Sequence, residues 1–217
     1  MKIININDLR KVDRFKGAEL ITSSSGIKPA TLVGSISTKG ITNLAVFSSI
    51  VHLGSNPAFI GLVVRPQTNR RSDTYLNVKE TKLFTINQFT KDIIYKGHKT
   101  STKVDSSISE FEHAGLEEQY IDDFKPPFVK KSKLKIALKY DHEIKLINKC
   151  TLVVGKVIFI AVDDVDTDIA DGSLNLENLE AIGVDGSGSY YSIKKKESSN
   201  SYSDQRMQEI INRFQNF

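Results

Sequence analysis

The sequence predicts a β-rich barrel, all-β or α+β, with short peripheral helices and a C-terminal helix. Several segments of strand length are rich in β-branched residues. Helical patterns are few and short. No strand-helix-strand rhythm recurs, which argues against a parallel α/β sheet.

Ala30–Ser37 reads as a strand after Pro29, and Thr38-Lys39-Gly40 as a turn. Thr42–Ser49 mixes polar and apolar residues. Phe59–Val64 is apolar on both faces, so it belongs inside a sheet. A basic loop, Arg65–Arg71, leads to Ser72, a good helix N-cap, and a helix to about Glu80. Leu83–Asn87 is another strand. Residues 91–128 are polar and broken by Gly97, Gly115 and Pro126-Pro127. Short helices are expected there near Ser109–His113 and Glu117–Ile121. Lys133–Tyr140 alternates in steps of two, as a half-buried strand does. Thr151–Val162 is the strongest strand signal, with Gly155 marking a bulge or bend. An acidic loop, Asp163–Asp171, follows. Gly183, Gly186 and Gly188 are spaced wrongly for a dinucleotide-binding GxGxxG and read as a turn. The tail Ser203–Phe217 places Met207, Ile210, Ile211, Phe214 and Phe217 on one face at helical spacing. The expected division is an N-terminal segment over 1–25, one domain over 26–193, and a polar linker with an amphipathic helix over 194–217.

Composition narrows the function. The chain has 30 basic and 26 acidic residues, well mixed, so a nucleic-acid surface is not expected. No stretch reaches the roughly 18 apolar residues of a membrane span, and the N-terminus lacks an apolar core of signal-peptide length. A cytoplasmic location is expected. The single cysteine, Cys150, opens an apolar strand and reads as a small core residue. His52, His98, His113 and His142 are scattered, and neither CxxC nor HExxH occurs, so no metal site is expected. No GxSxG elbow is present.

One constellation carries chemistry. Thr42, Asn43, Ser48 and Ser49 precede Arg65, Arg70 and Arg71, and then the helix start at Ser72, Asp73 and Thr74. Hydroxyls, a guanidinium and a helix N-terminus together suit a phosphate. Asp73 fits a capping or Arg-orienting role better than a direct phosphate contact.

The segment Gly40–Asn87 resembles the flavin reductase-like, FMN-binding split-barrel family. Gly40, Asn43, Ala45, Phe47, Ser48, Ser49, Pro57, Thr74, Asn77 and Asn87 fall on its pattern in order. Looser similarity runs through His98–Ser101, Ser109–Phe111, Gly115-Leu116, Pro127–Lys130, Val154–Val157 and Asp171-Gly172. The resemblance implies a split β-barrel homodimer with flavin mononucleotide (FMN) at the subunit interface. It implies that Thr42, Asn43, Leu44 and Ala45 run beside the isoalloxazine ring. Ser48 and Ser49 would reach the ribityl chain and phosphate, and Arg65, Arg70, Arg71, Ser72 and Thr74 would close the phosphate end. His98, with Thr100 and Ser101, would border the ring from the partner subunit. Tyr190 and Tyr191 would cover the flavin or merely pack. Many relatives carry Lys-Asp-Thr before the helix where this chain has Ser72-Asp73-Thr74. The histidine that the family often carries in the strand after its Val-Gly-x-Val motif is also absent; that strand reads Phe159-Ile160-Ala161. The implied activity is electron transfer from NADH or NADPH through FMN to free flavin or another acceptor. The alternatives are an FMN store or sensor without turnover, and a split barrel holding haem or a pyridoxal-type phosphate.

Overall fold

The computed structural model describes residues 1–9, 11, 14–67, 72–163, 174–195 and 212. Its centre is a seven-stranded antiparallel sheet. The strands are β2 (Thr31–Ile36), β3 (Thr42–Phe47), β4 (Ile50–Ser55), β5 (Ala58–Val64), β6 (Leu83–Gln88), β9 (Leu134–Lys145) and β10 (Thr151–Val162). They lie in the order β3-β2-β6-β9-β10-β5-β4. A smaller sheet joins β1 (Lys28–Pro29), β11 (Ile182–Val184) and β12 (Tyr190–Ser192) in the order β1-β11-β12. A third pairs β7 (Glu118–Gln119) with β8 (Phe128–Val129).

The edge strands β3 and β4 are consecutive, and only Ser48 and Ser49 separate them. Laid flat, seven strands would hold their edges about 29 Å apart. Three peptide steps span about 11 Å at most. The sheet must therefore curl until its edges meet at this corner.

Strand β2 is buried on both faces. Leu32 packs into one apolar cluster with Ala30, Leu44, Phe89, Phe111 and Ile182. Its neighbour Val33 faces the second cluster, with Leu62, Val78, Phe84, Ile86, Leu138 and Val153. Helix α3 (Asp73–Thr81) contributes Val78 to that second cluster. Glu143 on β9 clamps the same helix from outside: its carboxylate accepts from Tyr75 Oη (3.0 Å) and Lys79 Nζ (3.1 Å). Burial alone would raise the Glu143 pKa. Hydrogen bonds from Lys79, Lys145 and Tyr75 outweigh that and hold it below the ordinary value.

The strand expectations at 30–37, 59–64, 83–87, 133–140 and 151–162 correspond to β2, β5, β6, β9 and β10. The ladder shifts register at Val154/Gly155, where the bulge was expected. Ser72 caps α3 through Tyr75 N. The helix expected near Ser109–His113 is α5 (Glu110–Ala114). Gly183 lies in β11, and Gly186 and Gly188 take positive φ in the β11–β12 turn.

One expectation fails. Glu117–Ile121 is not a helix; Glu118 and Gln119 form β7 instead. Pairing with β8 satisfies that backbone, and Lys130 N donates to Glu117 O. The N-terminal segment forms two helices, α1 (Ile6–Leu9) and α2 (Arg14–Ser24), and α4 (Ile94–Lys99) lies within the polar middle. The C-terminal tail apart from Asn212, and the acidic loop beyond Asp163, lie outside the described residues.

Gly155 makes room for a core aromatic. A Cβ there would overlap the Phe84 ring, which is fully buried. Gly155→Ala should therefore destabilise by about 1–3 kcal/mol in urea unfolding. In a Phe84→Leu background that penalty should shrink, because the clashing ring atoms are gone.

Candidate functional site

The β3–β4 corner, Ser48 and Ser49, lies against the end of β5. Ser49 O accepts from Val63 N (3.0 Å), and Ser49 Oγ donates to Val63 O (2.9 Å). This ties the corner to the end of β5, two residues before Arg65. The Ser48 hydroxyl is half-buried and makes no hydrogen bond among the described residues. Arg65 is exposed and has no ion pair among them.

Gln67 links this corner to α3. Its Nε2 donates to Arg65 O (2.6 Å), and its Oε1 accepts from Ser72 N (2.6 Å). One side chain thus sets the spacing between the strand end and the helix start. Gln67 was not singled out from sequence; an amide within a basic loop was its only signal. Arg70 and Arg71 lie outside the described residues. The Ser48 hydroxyl and Arg65 guanidinium, without a partner among the described residues, and the N-terminus of α3 are donors of the kinds that a phosphate takes. Asp73, in the first helical turn, opposes an anion placed directly against it.

Thr42, Asn43 and Thr74 turn inward. The Asn43 amide is 4% exposed and Thr74 1%. With the amide nitrogen facing Glu110 Oε2 (3.1 Å), the Asn43 oxygen accepts from Ser35 Oγ (3.1 Å) and Thr74 Oγ1 (2.9 Å). Asn77 Nδ2 donates to the same Ser35 hydroxyl (3.2 Å). Asn43 therefore joins β2, β3, α3 and α5. Thr42 Oγ1 accepts from Ser109 Oγ (2.6 Å) and donates to Glu118 Oε1 (2.6 Å). Glu118 Oε2 in turn accepts from Tyr120 Oη (2.7 Å). Burial, reinforced by Glu118, pushes the Tyr120 phenol up to about 12. Sequence reasoning missed Glu110 and Glu118, which only the tertiary fold brings to Asn43 and Thr42. Leu44 belongs to the core and Ala45 is half-buried on β3.

A cleft of about 320 Å³ opens beside this network. It lies between the Ser37–Ile41 turn, the Asp73, Leu76, Asn77 and Glu80 side of α3, and the Ser106–Glu110 segment. Its carboxylates, Asp73, Glu80 and Glu110, face a single lysine, Lys39. An acidic lining of this kind does not suit a phosphate.

His98 and Tyr190 meet within one chain. His98 Nδ1 lies 2.8 Å from Tyr190 Oη, and the rings stack edge-on at 5.8 Å. Tyr190 also packs on Phe89 (5.7 Å), and burial raises its phenol pKa. Tyr191 points to the other face of the strand and is 42% exposed. Among the described residues no cluster of His, Cys, Asp and Glu could hold a metal ion. No described helix is long and apolar enough to cross a membrane.

The flavin reductase like domain model matches residues 20–174. The chain belongs to the flavin reductase-like family. Its architecture is that of the family's split barrel. It superposes on a split-barrel protein from Shewanella frigidimarina NCIMB 400, described as a flavin reductase, with a TM-score of 0.86 and 34% identity. That match covers 94% of this chain and 100% of the other. Nitrilotriacetate monooxygenase component B from Bacillus cereus shares the fold, with a TM-score of 0.80 and 22% identity over 92% of this chain and 98% of that one. An uncharacterized protein of Aquifex aeolicus (strain VF5) is 29% identical over 167 residues, 76% of this chain and 83% of its own length. Family membership makes this a flavin reductase-type protein.

Two outcomes test the network. Asn43→Ala would leave Thr74, Ser35 and Glu110 short of a partner and should cost about 1–3 kcal/mol in chemical denaturation. The Tyr120 phenol, raised in the fold, contributes stability that is intact below its ordinary pKa and lost as pH climbs from about 10 to about 12. Tyr120→Phe should flatten stability over that window, read by denaturant midpoints at each pH.

Proposed function

We propose that this protein is an FMN-binding oxidoreductase that passes electrons from NADH or NADPH to free flavin or another acceptor, and that it works as a homodimer. The observation that carries the cofactor reading is the Ser48–Ser49 corner, held against the Arg65 strand end and joined through Gln67 to the α3 N-terminus. Arg65, with Arg70 and Arg71 from the adjoining loop, neutralises the phosphate. Ser48 and Ser49 hold the ribityl and phosphate oxygens. Thr42–Ala45 present backbone groups to the ring, and the Asn43 network keeps that strand rigid. Transfer of electrons from nicotinamide is the chemistry the bound flavin supplies. The chain's own tasks are to bind the flavin, orient it and shield it from water.

The second copy fits a particular face. Ile144, Leu152 and Val63 stand in one row across β9, β10 and β5. Leu152, Val51 and Leu53 close over Gly61. Val51 and Leu53 are each 43% exposed and Ile144 47%. This apolar face borders the Ser49 corner through the Ser49–Val63 bonds, so a partner seated on it would also wall the flavin. In that arrangement His98, oriented by Tyr190, is the group we assign to the partner's ring.

Arg65→Ala should weaken FMN binding about tenfold or more while leaving riboflavin nearly unchanged, since a charge-assisted phosphate contact is lost. The same pattern is expected for Arg71→Ala. Calorimetry with both ligands checks this, and equal loss for the two would remove the phosphate role. Anaerobic titration with NADH and NADPH should bleach the bound flavin; a flavin that stays oxidised would favour a store or sensor. Val51→Asp should yield monomer in sedimentation and lose FMN together with the dimer.

A further inference from the structure

We infer that the outer face of the small β1-β11-β12 sheet is the docking site of the chain's own C-terminal segment, Ser203–Phe217. The two faces of this sheet differ. Ile182, Val184 and Tyr190 point into the first core cluster. The opposite face carries Ile27 and Tyr191. Gly183 pairs with Tyr191, and a Cβ on Gly183 would strike Ile27 Cγ2. Ile27 therefore lies over Gly183, with Tyr191 beside it on the same side of the sheet. Ile27 and Tyr191 are 61% and 42% exposed.

Helix α2 ends beside this sheet. Lys28 Nζ donates to Thr22 O (2.7 Å), Gly26 O (2.6 Å) and Asp185 O (2.8 Å), which pins the end of α2 to the β11–β12 turn. Thr22 lies against Gly186. Ile21, beside Thr22, is 49% exposed.

The chain's own tail is the occupant within reach. Lys195 N donates to Glu177 Oε2 (3.1 Å), which fixes the exit point four residues after Tyr191. Leu176, next to that anchor, is 40% exposed. The tail then carries Met207, Ile210, Ile211, Phe214 and Phe217 at helical spacing. A segment of this length is marginal as a free helix in water and needs an apolar surface to pack on. Twelve residues from Lys195 to Met207 reach about 40 Å when extended, so the span is no obstacle. Tethering beside the face gives the tail a high effective concentration there. This face is separate from the Val51–Leu53–Ile144 face assigned to the second copy.

Hydrogen exchange on the full-length protein tests the inference. Backbone amides of residues 203–217 should exchange about tenfold or more slowly than an unstructured chain, at every protein concentration tried. Ile27→Asp, and separately Tyr191→Lys, should abolish that protection while β6 amides stay protected, which shows the barrel intact. Free-chain exchange of the tail in the unmodified protein would overturn the inference. So would protection that survives both substitutions, or that is lost only in Val51→Asp. Protection that fades on dilution would also overturn it, because the tail would then be held by a second copy.

Discussion

The two-residue corner between β3 and β4 is the constraint on which this structure depends. Its strands sit at opposite edges of a seven-stranded sheet, yet Ser48 and Ser49 alone join them. Curling the sheet is the only way to close that distance. The curl encloses the second apolar cluster and leaves β2 between two cores. It also delivers two serines to the point where β5 ends and the basic loop begins. Closure and the candidate phosphate site therefore arise from one connection.

A second device keeps the geometry fixed. Asn43 bonds to groups on β2, α3 and α5 from inside the protein, where unpaired polar groups are costly. Glu143 holds the other side of α3 through Tyr75 and Lys79. The helix is thus gripped from within and without, and Gln67 sets where its first turn meets the strand end.

Two exposed apolar areas of the described residues have different consequences. One lies on the barrel strands next to the serine corner, where a partner would complete a shared pocket. The other lies on the small sheet, where Tyr191 stands four residues before Lys195. Both break the usual alternation of buried and wetted strand faces. Ile144 and Tyr191 stand where an antiparallel strand facing water would carry a polar residue.

Much of the fold was legible because local rules govern it. β-branched runs gave β2, β5, β6, β9 and β10, Ser72 announced α3, and Gly155 announced a bulge. The ordered residues from Gly40 to Asn87 also carried the family. What remained hidden depends on distant partners. Glu117–Ile121 has a helical look, but β8 claims its backbone by pairing Glu118 with Val129 and Gln119 with Phe128. Thr42 and Asn43 read as ligand-facing polar groups, yet Glu118 and Glu110 bind them from within the protein. Gln67 gains its role only when Arg65 and Ser72 are brought together. The sequence by itself determined which segments are strands and which chemistry the corner can offer, because both follow from side-chain type and spacing. Only the tertiary structure decided which polar groups are spent inside and which remain free for a ligand, because burial and hydrogen-bond partners are set by residues far apart in the chain.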